Sequence, residues 1–302
     1  MNLTVEVRAA ARRDSRRPFR AALALLAMLP LGACSMFDGF DSISDFNPFG
    51  PEKYKTKIEA DVPPTTIYDQ GLARLKKGDG SGAAKQFGDL QKQYPMSDFS
   101  RKGLLMQTYA QFEAGDYDSA TQSAERYVKL YPTTPEAGYA TYLEAMSYYN
   151  QIPDISRDQE RSAKALELFT KVVEKYPTSE YVNDSKFKIQ VTRDQLAGKE
   201  MSIGRFYLNR RNYTAAINRF RNVLANYQTS RHAEEALYRL TEAYLGLGIT
   251  AEAQTAAAVL GHNFPDGQWY KDAYALLKNG GLDPSEDQGS WISQIYRKVV
   301  PG

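Results

Sequence analysis

The chain has 302 residues, 42% of them hydrophobic, with 38 Lys+Arg against 36 Asp+Glu and a formal net charge of +2. Removing the six arginines and two acids that precede Cys34 leaves 32 basic and 34 acidic residues, so the basic balance belongs to the N-terminus. A nucleic-acid footprint needs an overall positive domain with a basic face, which this excludes.

The first element is an export signal. Arg8, Arg12, Arg13, Arg16, Arg17 and Arg20 form a charged region ahead of the uncharged stretch Ala21 to Leu31, "AALALLAMLPL". An apolar run of this length between a basic segment and small residues is a signal rather than a span, because spanning takes roughly 20 apolar residues. Leu31-Gly32-Ala33-Cys34 resembles the bacterial lipobox, with residues 1–33 removed and Cys34 acylated. Several acyl chains would anchor the protein firmly, since stable anchoring takes more than one. The other reading is an ordinary secretory signal with an incidental thiol; the register of apolar run, small pair and cysteine favours lipidation. Ser35 is not the Asp that usually retains such lipoproteins in the inner membrane, which implies the outer membrane. Ser15 to Arg20 also looks like a twin-arginine signal, and the export route stays open. With Cys34, the only cysteine, lipidated, neither a disulfide nor a thiolate metal site remains.

Residues 34–64, rich in Gly, Pro, Asp and Phe, read as a tether from the lipid to the first helix. A repeat follows. Five segments share one spacing: Ala83, Phe87, Leu90, Tyr94, Pro95; Ala120, Ala124, Tyr127, Tyr131, Pro132; Ala165, Phe169, Val172, Tyr176, Pro177; Ala216, Phe220, Val223, Tyr227, Gln228; and Ala253, Ala257, Leu260, Phe264, Pro265. Steps of three and four keep these side chains on one helical face, and the proline ends the helix. A turn signal precedes most of them: "KKGDG", "EAGDY", "NRRNY" and "GLGIT". Each unit is therefore a helix, a turn and a second helix. The expected fold is all-α, a right-handed α-solenoid of about five helix pairs at 65–97, 100–133, 136–179, 182–229 and 232–266, within a solenoid over 65–277. Two units are long, one through a polar loop at 150–160 and the next through a helix at about 180–209. Beyond a break in 278–290, "WISQIYRKVV" predicts a short amphipathic helix with Trp291, Ile292, Ile295, Tyr296 and Val299 on one face. It is too short to stand alone and must dock on the last repeat, a partner or the lipid surface.

These units resemble the tetratricopeptide repeat, with Gly78, Ala83, Phe87 and Pro95, and again Gly115, Asp116, Tyr117, Ala120 and Pro132, at its positions. Such residues pack helices and carry no function themselves. No nucleophile elbow, phosphate loop or paired-carboxylate motif appears. His232 reads as solvated and His262 lies 30 residues on, an arrangement unlike a metal site. No catalytic activity, metal or cofactor is expected.

Lipobox, tether and uneven repeats together resemble the BamD family of outer-membrane assembly lipoproteins, from about Ile67 to Phe264. The sharper matches are "RDQLAGKEMSIGRFYLNRRNYTAAINRF" and "YPTSEYVNDSKFKI". The resemblance implies a lipoprotein on the periplasmic face of the outer membrane. It would bind the POTRA domains of a BamA-like β-barrel protein, sit beside other BAM lipoproteins, and receive unfolded outer membrane protein precursors. It further implies that Asn218 and Arg219 contact the barrel subunit. Arg219 lies about 100° round the helix from the core residue Phe220, so it can reach outward. Helix A positions expected to face a precursor groove are Tyr68, Leu72, Leu75, Lys102, Leu105, Tyr109 and Phe112. A coordinator of cell-wall synthesis or a pilotin is the alternative; the uneven repeats argue against the second and the lack of heptads against the first.

Overall fold

The computed structural model describes residues 61–299; the signal, Cys34 and most of the tether lie outside them. Among the described residues there are twelve helices and no strand. They pair as α1 (Pro64–Lys76) with α2 (Gly80–Gln93), α3 (Asp98–Glu113) with α4 (Tyr117–Leu130), α5 (Ala137–Tyr149) with α6 (Glu160–Lys175), α7 (Val182–Asn209) with α8 (Tyr213–Asn226), and α9 (Ala233–Gly246) with α10 (Thr250–Asn263). Then come α11 (Gln268–Asn279) and α12 (Trp291–Val299). From α1 to α11 each helix packs on its neighbours in the chain, and the odd-numbered helices α1–α3, α3–α5, α7–α9 and α9–α11 also touch. The chain is an α-solenoid.

The repeated spacing explains this. Ala83, Ala120, Ala165, Ala216 and Ala253 are each 0% exposed, as are Phe87, Phe169, Phe220 and Leu260, while Tyr127 is 1% exposed. The alanine admits the paired helix, and the larger residue one or two turns later packs against it: Phe87 lies against Gly71 of α1 and Phe220 against Gly204 of α7. Tyr94, Tyr131, Tyr176, Tyr227 and Phe264 all cap the second helix of their pair, each donating its N–H to the carbonyl four residues back. Helix starts are equally regular: Asp79, Asp116 and Asn212 accept from the backbone N–H three residues on, which satisfies an otherwise orphan donor. The preceding residue is left-handed in four turns, with φ of 76° at Gly78, 75° at Gly115, 76° at Gly248 and 58° at Arg211. Arg211 holds without glycine a conformation that an L side chain disfavours.

The two irregular units fit each other. The loop between α5 and α6 is pinned to the long α7: Gln195 donates to the Pro153 carbonyl at 3.2 Å and Lys199 to the Ser156 carbonyl at 2.8 Å. The extra length of α7 therefore supports the extra length of the preceding loop.

The C-terminus folds back on its own solenoid. Helix α11, which no spacing in the sequence marked, buries Ala273 and Leu277 (both 0% exposed) and packs on α9 and α10. The segment after it crosses α10: Gln254 donates to the Asp283 carbonyl at 2.7 Å, and Asp287 N–H donates to Thr255 Oγ1 at 3.1 Å. Helix α12 packs on α10 and α8 and buries Ile292 completely. Of the three docking places open to this helix, it takes the solenoid itself.

Candidate partner surface and groove

Helix α8 is divided between two tasks. Ala216, Ile217, Phe220, Val223 and Leu224 are its buried face. Asn218 is exposed and Arg219 half-exposed on the other side. Both line an open concavity of about 500 Å³ with Glu200, Tyr207, Arg221 and Asn222, so the structure brings the two predicted partner residues together. Arg219 is not wholly free, however. Its Nη1 donates to Glu200 Oε2 at 3.3 Å, with the arginine side chain 42% and the glutamate 16% exposed. A half-exposed pair of this kind contributes at most about 1 kcal/mol, and a guanidinium has five donors, so a second carboxylate can still be accommodated. No spacing in the sequence marked Glu200, although α7 and α8 run antiparallel about the turn at 210–211 and residues 200 and 219 are almost equidistant from it.

The predicted groove residues divide similarly. Tyr68, Leu72 and Leu75 are half-buried against the Ala83, Ala84, Phe87 and Ala110 cluster, and Leu105 against that of Leu104 and Tyr127. Tyr68 meets Phe87 at 5.6 Å and Phe99 at 5.5 Å between ring centroids, and Lys102 is exposed with its ammonium 5.6 Å from the centre of the same Phe99 ring. Tyr109 and Leu75 share a concavity of about 490 Å³ with Glu113, whereas Phe112 turns to Tyr117, 5.6 Å away. Each of the apolar six thus packs on one side and faces solvent on the other.

The aromatic surface continues beyond the expected two repeats. Tyr181 stacks between Tyr139 and Tyr142, at 4.8 and 4.6 Å, and Tyr142 donates to Asp184 at 2.7 Å. Burial, with neighbouring Glu180, pushes the Tyr181 phenol up to about 12. Tyr139 is also raised, by burial first and then by its neighbours Tyr181 and Tyr109. All three stay neutral, and with both faces of the Tyr181 ring covered by its neighbours the cluster offers ring edges and hydroxyls. Their sequence signal is the i, i+3 pair Tyr139–Tyr142.

His232, expected to be solvated, is half-buried at the start of α9. Burial, then Arg231, holds its imidazole below the ordinary value. The reason is the long α7, whose Gly198 lies beside the ring. His262 is exposed. Among the described residues no three His, Cys, Asp or Glu side chains are grouped as metal ligands, and no helix is long and apolar enough to cross a membrane.

Comparison with known proteins gives this geometry a family. The model of the outer membrane lipoprotein family YfiO matches residues 60–260. The chain is 44% identical over 236 residues to the outer membrane protein assembly factor BamD of Caulobacter vibrioides, covering 78% of this chain and 77% of that one. The protein of the same name from Rickettsia prowazekii is 42% identical over 230 residues, 76% of this chain and 92% of the other. That from Xylella fastidiosa Temecula1 is 33% identical over 229 residues, 72% and 78% of the two. Helices α11 and α12 fall after the span that the family model matches. Matched along the whole paired solenoid as far as α10, the chain belongs to the BamD family of outer membrane lipoproteins.

Proposed function

We propose that the chain is a lipid-anchored, periplasmic subunit of the machine that assembles outer membrane β-barrel proteins. In this reading residues 1–33 are removed, Cys34 carries the acyl chains, and residues 34–64 tether a solenoid running to residue 277. Asn218 and Arg219 hold the POTRA region of a BamA-like barrel subunit, and other BAM lipoproteins sit alongside. The half-exposed aromatic face from Tyr68 and Leu72 through Leu105 and Tyr109, extended by Tyr139 and Tyr181, receives unfolded precursors. Neutral phenols and apolar edges suit an extended aromatic-rich strand, whose exposed edge otherwise aggregates. The role is one of binding, without catalysis or cofactor.

The observation that carries this reading is the placing of Asn218 and Arg219 in one open concavity on the face of α8 turned away from the core. An arginine fork there can pair bidentately with a partner carboxylate. Truncating one partner of a buried charged pair costs about 2–5 kcal/mol. Arg219→Glu should therefore release the barrel subunit during co-purification from detergent-solubilised membranes, while circular dichroism shows an unchanged helical fold. A folded Arg219→Glu protein that retains the barrel subunit fully would remove this face from the interface.

A further inference from the structure

The concavity that holds Asn218 and Arg219 contains a second cation. Arg221 is exposed and lines it, and among the described residues no ion pair includes it. Arg219 is matched by Glu200 at 3.3 Å; no carboxylate among the described residues pairs with Arg221 in the same way. Two arginines against one glutamate leave a single positive charge in this recess.

Arg221 is nevertheless held in place. Its guanidinium carbon lies 4.8 Å from the centre of the Trp291 ring. Trp291 is itself fixed, because its Nε1–H donates to Tyr244 Oη at 3.0 Å. Tyr244 belongs to the main core cluster and is 7% exposed. The helix carrying the tryptophan is anchored on the next residue by Ile292, 0% exposed, and at its start by Ser290, which donates to Glu252 at 2.7 Å. Stacking occupies a face of the guanidinium and leaves its in-plane N–H donors available. A cation held this way has already lost the rotamer freedom that binding would otherwise remove.

We propose that Arg221, clamped by Trp291, is a second carboxylate-binding residue of the same partner surface, and that α12 belongs to the interface as well as closing the end of the solenoid. The proposal rests on the reading of the Asn218–Arg219 face as the partner site. The occupant is an Asp or Glu side chain on an acidic protein surface. A phosphate dianion fits poorly, since Glu200 lies in the same recess and repels it, whereas a planar, singly charged carboxylate matches the in-plane N–H donors that Arg221 keeps available. Arg221 supplies the contact; Trp291 is a positioning residue.

The test uses the full lipidated chain in detergent and its purified barrel subunit, with dissociation constants from biolayer interferometry at low and high salt. Arg221→Gln should weaken binding about tenfold at low salt and flatten the salt dependence. Trp291→Ala should do the same, and the double variant should be no weaker than either single one, because both remove one contact. Trp291→Phe, which keeps a stacking face, should restore most of the affinity. Should Trp291→Ala release α12, seen as lost hydrogen-exchange protection over 291–299, Arg221→Gln alone carries the test. Arg221→Gln within twofold of the parent, alongside an Arg219→Glu protein that no longer binds, overturns the proposal and leaves the partner face standing. Full binding by Arg219→Glu overturns the partner face itself. A partner affinity unchanged in Arg221→Gln, with binding to anionic phospholipid vesicles lost, would reassign Arg221 to a lipid headgroup and also overturn the proposal.

Discussion

Gly204→Ala should destabilise the fourth repeat although it replaces the poorer helix former. A Cβ at Gly204 would lie 2.4 Å from Phe220 Cε1 and 2.8 Å from its Cδ1 and Cζ. Carbon atoms rest at about 3.5–4.0 Å, so the ring must retreat by more than about 1 Å. It has nowhere to go, being 0% exposed in the main core cluster. Overpacking of a filled core costs about 1–3 kcal/mol, and so large an overlap belongs at the upper end. Against it, alanine recovers about 1 kcal/mol of helix propensity. The net loss is about 2 kcal/mol, which lowers the melting temperature of a domain this size by about 4–8 °C. Thermal unfolding followed by circular dichroism measures the shift, and hydrogen exchange over α7 and α8 locates it. Adding Phe220→Leu removes the ring edge and should restore part of the loss. The same relation recurs sixteen residues apart at Gly71 and Phe87, where the added Cβ would lie 2.6 Å from the ring, so Gly71→Ala should behave likewise. A Gly204→Ala protein that melts at or above the parent temperature would refute the packing argument.

Other outcomes follow from the same structure. Ala216→Leu or Ala120→Leu should cost about 1–3 kcal/mol by overpacking a helix pair; unchanged melting for both would contradict the repeat register. Cys34→Ala should yield an uncut or soluble protein without lipid, and normal fractionation of the unlipidated variant with the outer membrane would contradict the anchor. Burial pushes the Glu144 carboxyl on α5 up to about 7, with Lys171 opposing and Glu125 adding. An acid raised on folding contributes stability that is full below its unfolded value of about 4.3 and is lost as pH rises through the folded one. Glu144→Gln should thus raise the melting temperature at pH 8 and leave it unchanged near pH 4; an equal change at both would show that Glu144 does not titrate there.

The paired solenoid was legible because its repeat is a packing code. Alanine, aromatic, capping tyrosine and proline recur at steps set by the helix pitch, and each of those alanines is wholly buried. The outward position of Asn218 and Arg219 was legible from their place beside Phe220; their partner role is what the family resemblance implies. What escaped was set by contacts between elements. Tyr181 depends on the α6–α7 connection to reach Tyr139 and Tyr142. His232 is sheltered by a helix two elements earlier. Arg221 and Trp291, seventy residues apart, meet only because the C-terminus folds back across α10 onto α8. Helix α11 escaped because its buried residues, Ala273 and Leu277, are too few to set a period.

Site-specific photo-crosslinking in living cells tests the partner face most directly, with the crosslinker placed at Asn218 on the outward face of α8 or at Tyr109 in the concavity it shares with Leu75. Each position should give one adduct: Asn218 with the barrel subunit, Tyr109 with newly exported β-barrel precursors. An Asn218 crosslinker that captures a secretin or a cell-wall synthase and never the barrel subunit would contradict the partner face.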